Sequence, residues 1–88
     1  MKILYEITEF TATWCVACKR LEPYLDAAKR RGVTVNKVDV EEQPEQAEQM
    51  QISSLPTLIF SKNGDRCRVT TGASGEIAQA IAGFGVEQ

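Results

Sequence analysis

The chain has 88 residues, 43% of them hydrophobic and 25% charged, which suits one small domain, residues 1–88, built around a single core. A net charge of −2 excludes a cationic field for gripping nucleic acid. Three cysteines are too few for a disulfide-framework fold and leave one without an intramolecular mate.

Residues 3–10 (ILYEITEF) read as a strand buried largely on both faces. Glu6 and Glu9 interrupt this opening too early for a signal-peptide core, and no later run approaches the roughly 20 apolar residues that span a bilayer. The expectation is a soluble, monomeric, cytoplasmic protein with no membrane or nucleic-acid partner. In that compartment a lasting structural disulfide is uncommon. From Cys15 the pattern turns helical: Cys18, Leu21, Leu25 and Ala28 share a stripe, Arg30 and Arg31 suit a C-terminus, and Gly32 suits its stop. Pro23 lies inside this segment and predicts a kink. VTVNKVDV (33–40) reads as a second strand. Pro44 opens a short helix over 44–50 with Ala47 and Met50 turned inward. PTLIF (56–60) is a third strand, Asn63-Gly64 a hairpin turn, and DRCRVT (65–70) the returning strand. After Gly72, Ser74 is a candidate cap for a last helix with Ile77, Ala80, Ile81 and Phe84 as its stripe. The order β-α-β-α-β-β-α predicts an α/β fold. Its four-stranded mixed sheet has one parallel crossover, one hairpin and helices on both faces.

The stretch TWCVACKR (Thr13–Arg20) carries the chemistry. Cys15 and Cys18 form a Cys-x-x-Cys, which can be half of a zinc site, but the chain has no histidine and its other cysteine, Cys67, lies far along in another strand. Plain burial explains Cys18 on the apolar stripe and not Cys15, which at a helix mouth has few core contacts to make. A redox centre explains both. A thiolate is stabilised at a helix N-terminus, and lowering its pKa from about 8.5 to about 7 raises its share at neutral pH from roughly 3% to roughly half. At i and i+3 the two sulfurs share one face, so Cys15 can attack a disulfide and Cys18 can resolve the intermediate.

TWCVACK with its leading tryptophan, Pro23 after the second cysteine, SLPTLIF, the turn KNGD and the glycine of TTGAS together resemble the thioredoxin family. The likeness runs nearly without gaps from Leu4 to the last helix. It lacks the first strand and helix of longer members, so the chain looks like a minimal thioredoxin fold of the size seen in archaea and bacterial viruses. The resemblance implies a protein-disulfide reductase with no bound cofactor, working through a redox-active Cys15–Cys18 disulfide. It would be recycled by a thioredoxin reductase drawing on NADPH and would act on disulfide-containing proteins. It also implies a cis Leu55–Pro56 bond and a proton acceptor at Glu9, where the family usually carries a buried aspartate. Lys37 would sit on the adjacent strand and tune that acceptor. Trp14, Val16, Ala17, Leu55, Pro56, Gly72 and Ala73 would form a flat apolar substrate patch around Cys15. Cys67 matches no family role and reads as a half-buried strand cysteine. Val16-Ala17 departs from the Gly-Pro usual between the cysteines and leaves the reduction potential open. A glutathione-coupled, glutaredoxin-like reductase and a partner-clamping module that needs no thiols are the alternatives.

Overall fold

The computed structural model describes residues 2–72 and 74–86. In β1 (Tyr5–Thr11) side chains alternate, sending Ile7 and Glu9 to one face and Phe10 to the other, and all three are buried. The strand occupies the middle of the sheet, parallel to β2 (Thr34–Asp39) on one side and antiparallel to β3 (Thr57–Lys62) on the other. β4 (Asp65–Thr71) returns beside β3, giving the order β2-β1-β3-β4. The Asn63-Gly64 turn closes that hairpin with φ of 54° and 85°, the left-handed pair that a two-residue hairpin loop requires and that glycine adopts without penalty.

The expected long helix after Cys15 is two helices. α1 (Val16–Arg20) ends at Leu21, and α2 (Glu22–Arg30) begins with Pro23 in its first turn. Pro23 has no N–H to give the Lys19 carbonyl, and its ring crowds that turn, so the break falls two residues before the proline itself. α2 and α4 (Ser74–Gly83) cover one face of the sheet. There Leu21, Leu25, Ala28, Ile77, Ala78 and Ile81 close over Ile7, Leu58 and Phe60. Ser74 is the first helical residue rather than the cap. Ala80 and Phe84 pack at the margin of this core, where Phe84 meets Tyr5 and Phe60 edge-on.

The opposite face carries a smaller cluster, Phe10, Val38 and Ile59, with Met50, Ile52 and Leu55 packed against it. Met50 and Ala47, expected to point inward, are half-buried beside and within the short α3 (Pro44–Gln49). Farther down this face the strands present Glu6, Thr8, Asn36 and Ser61, and Asn36 donates to Glu6 across it. Glu9 thus shares its side of the sheet with the large core. No helix among the described residues is long and apolar enough to cross a membrane.

Candidate functional site: a cysteine pair at the head of the sheet

β1 and β2 run parallel and end together at Thr11 and Asp39, and the segment leaving β1 turns through Ala12 to Cys15 at the C-terminal edge of the two strands. Open α/β sheets gather their reactive groups at this edge. Cys15 sits immediately before α1 with extended backbone, and its N–H bonds the Ala12 carbonyl at 3.1 Å. Its sulfur accepts the N–H of Cys18 at 3.1 Å, so the cysteine is itself the helix N-cap. The two cysteines are joined as a disulfide, with Cα atoms 5.2 Å apart.

Both are buried, against the expectation that Cys15 has few core contacts. Ala12, Cys15 and Cys18 form a cluster with Ala17, Val40 and Leu55 packed on it. The loop after Ile52 folds over Cys15 and supplies contacts that the local sequence does not reveal. The electrostatics also differ in kind. A five-residue helix has little macrodipole, and the definite feature is one N–H aimed at the Cys15 sulfur, which would stabilise a thiolate there.

The Leu55–Pro56 bond is cis. Leu55 is half-buried on the cysteine cluster, but Pro56 is fully buried and lies beneath the expected apolar patch instead of contributing to its surface. Hydroxyl groups that sequence reading missed hold this loop. Thr57 donates to the Ser54 carbonyl at 2.7 Å, Ser54 and Thr71 hydroxyls meet at 2.8 Å, and Thr71 also reaches the Pro56 carbonyl at 3.3 Å. Thr71 ends β4 and leads into Gly72, which is exposed with φ of 111°. An added Cβ at Gly72 would meet nothing, so backbone conformation rather than space makes glycine suitable there. Ala73 lies outside the described residues.

Trp14 and Val16 are largely exposed, at 63% and 61%, and with half-buried Ala17 and Leu55 they leave an apolar rim around the cysteines. The Trp14 indole donates to the Glu41 carboxylate at 3.0 Å, which fixes the ring. Nothing in the sequence pattern singled out Glu41, because the contact depends on how the loop after β2 returns.

Glu9 is 1% exposed and its Oε2 has no hydrogen-bond partner. Ile7, on the same face, packs with Leu21 and Leu25. Glu9 lies two residues farther along β1, toward the strand end from which the chain turns to Cys15. Burial raises the carboxyl from 4.5 to about 7; the positive charge of Lys37 opposes the shift and the negative charge of Glu22 reinforces it. Lys37 stands opposite Glu9 in the β1–β2 register, yet its ammonium is bonded to both carboxylate oxygens of Glu22 at 2.6 Å. Sequence reading found Lys37 and missed Glu22. The partners lie on different elements, and only the crossover from α2 to β2 brings them together.

Cys67 is exposed, contrary to the half-buried position expected. The β3–β4 register skips it: Ser61 faces Arg66 and Phe60 faces Arg68, leaving Cys67 as the extra residue of a bulge with its thiol 3.4 Å from the Phe60 carbonyl.

The family model described as Thioredoxin matches residues 4–83. A thioredoxin of Mycobacterium bovis is 39% identical over 75 residues, covering 82% of this chain and 65% of that protein. A protein of Mycobacterium leprae named bifunctional thioredoxin reductase/thioredoxin is 37% identical over 75 residues, 82% of this chain and 16% of that one. Among solved structures, a thioredoxin of Plasmodium falciparum superimposes with a TM-score of 0.73 at 36% identity, covering 88% of this chain and 78% of that chain. The chain therefore spans just under two thirds of the mycobacterial thioredoxin it matches.

Proposed function

Because the chain belongs to the thioredoxin family, we propose that it is a thiol–disulfide oxidoreductase that reduces disulfide bonds of protein substrates. The observation that carries this is the buried Cys15–Cys18 pair, in which the first sulfur receives the N–H of the second cysteine at the start of α1. In the reduced protein that N–H favours a Cys15 thiolate over a Cys18 thiolate, so Cys15 attacks. Its sulfur bonds to one substrate sulfur and the other leaves as a thiolate. Cys18 then gives its proton to the Glu9 carboxylate and attacks the Cys15 sulfur. The second substrate thiolate leaves and the Cys15–Cys18 disulfide closes. Two electrons pass from the dithiol to the substrate.

Glu9 suits the acceptor role because burial sets its proton affinity near neutral pH. The rim of Trp14, Val16, Ala17 and Leu55, with Gly72 beside it, is the substrate surface in this reading. Buried Pro56 supports it from below, and Ala73 would extend it. A thioredoxin reductase using NADPH would restore the dithiol, a role supported by the name of the Mycobacterium leprae relative. The protein would act as a monomer in a reducing cytoplasm.

Reduction of insulin by dithiothreitol, followed by turbidity, tests the activity. The protein should accelerate precipitation and Cys15→Ser should not. Equal rates for the two would overturn the reductase assignment.

A further inference from the structure

The buried carboxyl at the site faces one cation, and that cation is engaged elsewhere. Lys37 is Glu9's register partner on β2, but its ammonium is held by Glu22, the first residue of α2, through both carboxylate oxygens. Glu9 Oε2 is left buried without a partner. Elementary energetics explains the choice. The Lys37 and Glu22 side chains are 35% and 45% exposed, so their pairing removes little hydration, whereas reaching Glu9 would take an ammonium into the core.

We infer that Glu22 is a positioning residue for the cysteine chemistry: by holding the Lys37 ammonium at the seam between α2 and β2, it keeps that cation from pairing with Glu9 and leaves the buried carboxyl free to exchange a proton with Cys18. The proton exchange rests on the reductase reading; the coupling of the three charged groups does not. The other elements packed around Glu9 add no opposing charge. β3 places Leu58 opposite it, β4 places Thr70 beyond Leu58, the buried residue of α1 is the uncharged Cys18, and α4 turns Ile77, Ala78 and Ile81 inward. The charges that act on Glu9 are those of Lys37, which favours the carboxylate, and Glu22, which favours the acid. Removing Glu22 acts twice in one direction, deleting a repelling charge and releasing an attracting one.

The test is a carbon-13 NMR titration of the Glu9 carboxyl in the oxidised full chain, where Cys15 and Cys18 do not titrate. Against a starting midpoint of about 7, Glu22→Gln should move the midpoint down and Lys37→Met should move it up. In a Lys37→Met background, Glu22→Gln should have a smaller effect, because no cation remains to be released. A midpoint that Glu22→Gln leaves in place or moves up would overturn the inference and reduce the ion pair to a surface contact. The readout needs no turnover, so it succeeds or fails independently of the insulin assay.

Discussion

Glu9 carries a carboxyl to a place water does not reach, and that sets the sign of a pH dependence. Its proton affinity is raised from 4.5 to about 7, so between those values the folded protein keeps a proton that the unfolded chain has released. Stability from this residue is therefore greatest below about pH 4.5 and falls as pH rises toward 7, levelling off above it. The amplitude between pH 5 and pH 8 is roughly 2 to 3 kcal/mol. Urea unfolding of the oxidised protein should show that decline, and Glu9→Leu should flatten it and be relatively more stable at pH 8. A Glu9→Leu variant whose stability falls just as steeply would place the titrating group elsewhere. Glu9 was legible through the family resemblance, which puts it where thioredoxins usually carry a buried aspartate; a lone glutamate near a strand end ordinarily reads as exposed. Cys67 was misjudged because an alternating pattern assumes an unbroken register, and the bulge at Cys67 violates it.

At the scale of elements, local signals were reliable where one or two residues dictate geometry. Asn63-Gly64 gave the hairpin, and Asn63 has a second task that no local pattern shows. Its Oδ1 accepts the Leu4 N–H at 2.9 Å and its own N–H bonds the Leu4 carbonyl at 2.7 Å, tying the entry of β1 to the hairpin. Asn63→Ala loses the side-chain bond and places a Cβ-bearing residue less suited to φ of 54° there. It should cost about 1 to 2 kcal/mol in denaturant unfolding, and a change within a few tenths of zero would show that the tie is not structural. Pro23 correctly marked a disturbance, but its consequence was a clean division at Leu21 rather than a kink, since the missing bond and the ring act on the turn before the proline. The hydroxyl ties among Ser54, Thr57 and Thr71 were invisible for a different reason. They join segments that meet only after β3 and β4 pair.

For the whole molecule, the order of elements and the parallel crossover followed from apolar periodicity, since alternation and the 3.6-residue stripe each leave one geometry. What periodicity could not supply was the depth of the cysteine pair. The loop 52–56 and the turn after β1 converge on Cys15 only in the assembled sheet. That convergence leaves a buried disulfide beside an apolar rim. The central claim, that Cys15 attacks and Cys18 resolves, is tested most directly by trapping. Cys18→Ser and Cys15→Ser variants, both also carrying Cys67→Ser, are incubated with insulin and examined by mass spectrometry without reductant. The account predicts a covalent insulin adduct on Cys15 in the Cys18→Ser protein, released by dithiothreitol, and none in the Cys15→Ser protein. An adduct that forms only through Cys18, or no adduct in either variant, would contradict it.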